Sequence, residues 1–254
     1  MFTKINIVDI CLGCRPEDIA PKVIISPILK ITDFKKIFSN IEAEFGQKYW
    51  WSGITGIYEG ERITFIYSGR GAAKVGDLTI VLKSTPCRHL LFLGSMGSLH
   101  DDLTIGDFAL AGAAIDGEGF SHYYTEQLNT EALLKKKVFI DPVSHLLHLA
   151  RRKLNQGEYN YRVGDVFTIG SLFAEKEDFL VQLKEAEIIG IDQETSALYT
   201  AAQVGDIEPL ALYYVFDKPM ETSIWDETTL EQLECQRRSL NRLPILGLEI
   251  QKSI

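Results

Sequence analysis

Long apolar runs are absent from the chain. No stretch approaches the roughly 18 residues that a membrane helix needs, which argues against a membrane partner. An excess of positive charge is absent too: 26 Lys and Arg stand against 35 Asp and Glu, a formal net charge of -9. A surface that coats nucleic acid or an anionic membrane wants the opposite sign, so no nucleic-acid partner is expected. A small anion in one local basic pocket remains allowed. No secretory leader is legible between Met1 and Asp9, where the acidic residue falls in a stretch that should be apolar, and the protein reads as cytoplasmic. The 4 cysteines read as free thiols. Cys11 and Cys14 have the spacing of half a zinc site, but Cys87 and Cys235 are isolated and two more ligands are needed. His145 and His148 share a helical face without a carboxylate or third ligand, so no metal is expected. There is no P-loop and no Gly-x-Ser-x-Gly elbow. Gly69 to Lys74 nearly matches the dinucleotide fingerprint, but Lys74 stands where the third glycine must let helix and strand close up, and no organic cofactor is expected.

What is present is an alternation of patterns, with only 8 prolines and no linker or repeat to divide the 254 residues. The spacing predicts strands over 22–26, 88–93, 108–114, 161–169, 188–191 and 209–216. It predicts helices over 72–82, 142–155, 175–185 and 194–204, and a last one from near Asp226. Phe34, Ile37, Phe38, Ile41 and Phe45 follow a helical period, with Thr32 or Asp33 placed to cap. Residues 51–57 and 62–67 flank Glu59-Gly60 as a hairpin. Leu93 is expected to end its strand in a glycine turn. Together these predict an α/β fold in one domain over residues 1–254, with a mixed, mostly parallel sheet covered by helices on both faces.

Ligands of such sheets sit beyond the carboxyl ends of strands, so the residues at and just past each strand end are the candidates for chemistry. Arg70 comes after residues 62–67, and Gly94-Ser95-Met96-Gly97 after 88–93. Phe167 and Thr168 end 161–169, Gln193 and Glu194 come after 188–191, and Asp217 ends 209–216. The glycine-serine loop reads either as a tight turn or as a cradle of amides plus a hydroxyl for an anion or a ribose oxygen. Glu194 reads as a complement to a helix dipole or as a carboxylate accepting two hydrogen bonds from a vicinal diol. Asp217 is a turn residue or a desolvated proton donor. Phe167 is a core residue or a stacking face for a base.

Five segments occur in an order that resembles the nucleoside phosphorylase/nucleosidase superfamily, in its branch of purine nucleoside and uridine phosphorylases and methylthioadenosine/adenosylhomocysteine nucleosidases. They are His89 to Asp107, Asp116 to Tyr124, Val163 to Thr168, Gly190 to Tyr199 and Val215 to Asp217, with weaker similarity at Thr55 to Gly60. The resemblance covers roughly residues 50–220. It implies that Glu194 grips the ribose 2′ and 3′ hydroxyls beside Gln193, that Phe167 stacks on the base with Thr168 next to it, and that Asp217 protonates or hydrogen-bonds purine N7. Gly94 and Ser95 would meet the phosphate or ribose, and Met96 and Gly97 the base. The implied activity is phosphorolysis of a nucleoside, with inorganic phosphate as co-substrate, by a dimer or hexamer. The alternatives are hydrolysis by water, or binding without turnover. The departures fall on the phosphate half. Ser26 to Ile31 lacks the family's loop arginine, Phe92 and Tyr49 stand at two other arginine positions, and no glutamate between Val23 and Ile31 could activate water. Arg70, and more weakly Lys30, are the candidate replacements.

Overall fold

A computed structural model describes residues 7–121, 123, 129–141 and 143–254. Most of the Met1–Asp9 segment, together with Pro142, His122 and Tyr124, lies outside them.

Runs rich in Val, Ile and Leu form strands buried on both faces. β1 (Lys22–Ser26) lies between two parallel neighbours, β4 (Glu61–Tyr67) and β5 (His89–Ser98). β3 (Ser52–Tyr58) joins β4 as an antiparallel hairpin. Its turn residues Glu59 and Gly60 both take positive φ, at 46° and 91°, which matches the right-handed twist of a two-residue hairpin.

The region from Phe34 to Phe45 corrects the helical expectation. α2 (Ile31–Lys35) is brief, and β2 (Asn40–Phe45) pairs antiparallel with β3. Ile41, Ala43 and Phe45 alternate with exposed Asn40, Glu42 and Glu44, so these residues satisfy a period of two as well as the helical one. The unpaired edge of β3 decides between them, because it satisfies backbone groups that a short surface helix would leave to water. Phe34 remains a core residue, stacked on Phe65 with centroids 3.9 Å apart.

Beyond β5 the sheet closes on itself. β5 runs parallel to β10 (Glu208–Asp217), which lies antiparallel to β6 (Phe108–Gly117). β6 runs parallel to β8 (Tyr161–Ile169), and β8 parallel to β9 (Gly190–Asp192). β9 returns antiparallel to the far end of β5, pairing Ile191 with Gly97 and Gly190 with Ser98. The expected glycine turn after Leu93 is therefore not a turn: β5 continues through Gly94 to Ser98 because β9 and β10 supply partners there. β7 (Lys137–Phe139), not expected from the sequence, adds to the outer side of β6.

Helices cover both faces. α1 (Ile7–Leu12) and α4 (Thr130–Leu134) were not foreseen, while α3 (Ala72–Leu82), α5 (His145–Gln156), α6 (Glu177–Glu185), α7 (Thr195–Gly205) and α8 (Leu230–Lys252) were. On β10, Tyr213 meets Thr195 of α7, while its neighbour Leu212 is in register with Leu93, which abuts Gly247 of α8. Successive side chains point to opposite faces, so α7 and α8 lie on opposite sides. Among the described residues no helix is long and apolar enough to cross a membrane.

Candidate active site

The ring of strands brings the predicted strand ends together by a route that a simple parallel sheet does not supply. β9 and β5 run in opposite directions, yet the last residues of β9 lie beside residues 96–98 because β5 is ten residues long. Gly190 lets this happen: a Cβ there would lie 2.7 Å from Met96 Sδ and 2.8 Å from the Gly97 carbonyl oxygen. Ser95, Met96 and Gly97 thus form one wall of a cavity of about 1040 Å³, at the upper end of the roughly 300–1,000 Å³ usual for small-molecule sites.

The opposite wall is set by α7. Asp192, only 4% exposed, accepts hydrogen bonds from Thr168 Oγ1 at 2.7 Å, Thr195 N at 2.8 Å and Glu194 N at 3.2 Å, and from the Thr195 hydroxyl. Thr168 Oγ1 in turn accepts from Ser196 N at 2.9 Å. This network satisfies the first amides of the helix, which have no intrahelical partner, and a carboxylate there complements the dipole. Glu194 is consequently fixed at the helix start. It is 6% exposed, and its Oε1 accepts from Gly71 N at 2.8 Å. Gly71 has φ 96°, a conformation that residues with a Cβ rarely adopt, and only that turn aims its amide at Glu194. Burial, then the charge of Asp192, pushes the Glu194 carboxyl up to about 7.

Asp217 closes β10, with Oδ2 accepting from Ile224 N at 3.1 Å, and burial pushes its carboxyl up to about 6. A second carboxyl shares this end of the cavity. Glu175, expected as the first residue of a helix, instead comes after a single 3-10 turn, Leu172–Ala174, and α6 starts only at Glu177. Its side chain lines the cavity, where burial, then the charge of Asp217, pushes it up to about 7. Arg70 and Lys30 are exposed cations on the cavity wall.

Of the sequence-predicted residues, Arg70, Ser95, Met96, Gly97, Gln193, Glu194 and Asp217 line this one cavity. Gly94, Phe167 and Thr168 do not. Gly94 lies within β5, its Cα face closed by the Phe92 ring. Thr168 is fully buried in the Asp192 network. Phe167 is 0% exposed, its ring edge-on to Phe179 at 5.3 Å in a secondary core; the expectation that its face meets a base is corrected, because the ring is already covered by side chains. Glu175 and Asp192 were missed. Asp192 stood next to Glu194 in the motif, but nothing local marked Glu175. The other arginine-replacing positions are core or remote: Phe92 packs edge-on to Tyr213 at 6.0 Å, and neither Lys48 nor Tyr49 lines the cavity. Cys11 and Cys14 are free and buried. Among the described residues no group of three or more His, Cys, Asp or Glu is placed to hold a metal ion.

The arrangement can hold a polyol on one carboxylate while a second carboxyl donates a proton some distance away. The model of the phosphorylase superfamily matches residues 26–251. A purine nucleoside phosphorylase of the DeoD type from Shewanella oneidensis is 27% identical over 206 residues, covering 78% of this chain and 79% of its own. One from Brevibacillus brevis is 26% identical over 168 residues, covering 65% of this chain and 67% of its own. The same fold occurs in uridine phosphorylase from Vibrio fischeri, with a TM-score of 0.75 at 20% identity over 93% of each chain. It occurs again in AMP nucleosidase from Bacteroides thetaiotaomicron, with a TM-score of 0.69 at 24% identity over 95% of this chain and 94% of that one.

Proposed function

We propose that this chain, which belongs to the phosphorylase superfamily, cleaves the N-glycosidic bond of a purine nucleoside with phosphate as the nucleophile. The observation that carries the reading is the pairing of two carboxyls in one cavity. Glu194 is locked by Gly71 on the sugar side, and Asp217 on the base side is protonated well above the usual carboxylate range. Glu194 accepts hydrogen bonds from the ribose diol and orients the sugar. The bond from C1′ to the base nitrogen breaks through an oxocarbenium-like state, its electron pair leaving with the base. A phosphate oxygen bonds to C1′, and Asp217 hydrogen-bonds or protonates N7, making the base a better leaving group. General acid help of this kind contributes roughly 10²–10⁴-fold. Arg70 and Lys30 supply the charge for phosphate, beside the Ser95 hydroxyl. We place the enzyme in the cytoplasm as a self-associating dimer or hexamer.

Hydrolysis is the second reading, favoured by one observation. The Phe92 position is sealed in the core, so phosphate would rely on two exposed cations instead of a buried bidentate arginine, the stronger ligand. Product analysis on a nucleoside and nucleotide panel, with and without phosphate, separates the two. Ribose 1-phosphate appearing only with phosphate is the expected result, and free ribose under both conditions would replace phosphorolysis by hydrolysis. Asp217→Asn is expected to lower kcat by roughly 10²-fold or more while nucleoside binding changes little. Binding without base release from any substrate would overturn the enzymatic reading.

A further inference from the structure

The base end of the cavity is built around two carboxyls. Glu175 comes from the turn after β8 and Asp217 from the end of β10, and Glu175 feels the charge of Asp217. Among the described residues the Glu175 carboxyl has no hydrogen-bond or ion-pair partner, and Asp217 has only the Ile224 amide on Oδ2. Neither Arg70 nor Lys30 exerts a charge effect on this pair; Arg70 acts on Glu194 and Tyr214 instead. Two desolvated carboxyls without a counter-charge cannot both ionise near neutrality, so they hold one proton between them. The pair then offers one donor and one acceptor, side by side.

Purines differ at the edge such a pair would meet. A 6-aminopurine presents an N7 acceptor beside an amino donor, whereas a 6-oxopurine presents two acceptors, N7 and O6. We propose that Glu175 and Asp217 act together as a base-reading pair that selects 6-aminopurine over 6-oxopurine nucleosides. Asp217 donates its proton to N7, and Glu175 accepts from the exocyclic amine. A 6-oxopurine would set the Glu175 carboxylate against a carbonyl oxygen, and it is accepted only when both carboxyls are protonated. This inference rests on the nucleoside-cleavage reading for its substrate class.

The test is the ratio of kcat/KM for adenosine to that for inosine, measured between pH 5.5 and 8. The other titratable groups lining the cavity are Asp192 and Glu194 from the β9–α7 junction, Tyr214 from β10, Tyr67 and Arg70 from the end of β4 and beyond, and Lys30 from the segment before α2. Glu194 titrates in the same range, but it meets the ribose common to both nucleosides, so its effect cancels from the ratio. The expected ratio is about 100 near pH 6.5, where the pair holds one proton, the usual consequence of an unmatched buried polar contact, and it falls as the pH drops below 6 and both carboxyls are protonated. In Glu175→Gln the amide donates to O6. Adenosine kcat/KM then falls about 10-fold, inosine gains, and the pH dependence of the ratio is lost. A merely structural role for Glu175 would lower both nucleosides together and leave the ratio unmoved, which overturns the proposal.

Calorimetry with free adenine and hypoxanthine keeps the two readings apart. Adenine binding preferred near pH 6.5 without base release from any nucleoside supports the pair and sinks the enzymatic reading. Equal binding of the two bases across the pH range overturns the pair whatever the turnover.

Discussion

Glu194 is held in a place that works against its own ionisation. Its ordinary value is 4.5 and in the folded chain it is pushed up to about 7. A carboxyl raised in this way contributes stability that is full below about 4.5 and is lost as the pH rises through about 7. The loss is on the order of 3 kcal/mol at one pKa unit per 1.36 kcal/mol. Glu194→Gln is therefore expected to raise the melting temperature at pH 8, with the gap to the parent closing by pH 4.5, while nucleoside binding weakens by roughly 10- to 100-fold through loss of charge-assisted hydrogen bonds. Calorimetric melts at both pH values check the first half, and a parent protein equally stable at pH 8 and at pH 4.5 relative to the variant would refute it. At this scale the sequence was informative where chemistry and position coincide. Asp217 and Glu194 were legible because one ends a clear strand pattern and the other begins a clear helical one, each with an acid. Phe167 was misread because alternation tells which neighbours share a face but not whether a second helix already covers it. Glu175 was hidden because its role depends on the chain delaying α6 by one turn.

Elements were legible where burial is complete and uncertain where a period is short. β1, β8, β10, α3 and α7 match the sequence reading within a few residues. The strand at Asn40–Phe45 does not, since Ile41 and Phe45 fit either period and only β3 decides. The N-terminus of α7 carries the clearest consequence at this level. Asp192 satisfies two of its amides and orders the residue that lines the cavity. Removing that carboxylate strands the Thr168 hydroxyl and two amides, each costing about 1–3 kcal/mol if left unpaired. Asp192→Ala is expected to lower stability by several kcal/mol and, at temperatures where it remains folded, to raise KM more than it lowers kcat. Urea titration with parallel kinetics reads both, and an unchanged midpoint would remove Asp192 from this role.

On the scale of the molecule, two segments that line the cavity through Leu172 and Ile224 are tied to each other. Phe173, after β8, and Trp225, after β10, are 74% and 60% exposed and stack on each other with centroids 5.0 Å apart. They join the two segments that bear Glu175 and Asp217. Exposed aromatics contribute little to global stability, usually within about 0.5 kcal/mol, but a tie between two loops sets how a site closes. Phe173→Ala is expected to leave the melting temperature unchanged and to raise KM roughly 3- to 10-fold. A KM equal to that of the parent would show that the stack does not govern access. The fold class itself was legible, but the closing of the ring was not, because β9 has only three residues and its partner is a strand almost a hundred positions earlier.

That closed ring also settles where the protein is vulnerable to sticking to itself. A strand that has neighbours on both sides offers no template for another chain, and five of the strands are satisfied within the ring. At the far end of the sheet β2 pairs only with β3 among the described residues. Its exposed positions include Glu42, bonded to Arg62 at 2.6 Å, and Glu44, bonded to Lys35 at 2.6 Å. An incoming strand would have to dehydrate both ion pairs to add to this border, a cost that guards natural sheet edges against aggregation. These two glutamates thus keep the sheet borders of separate copies apart.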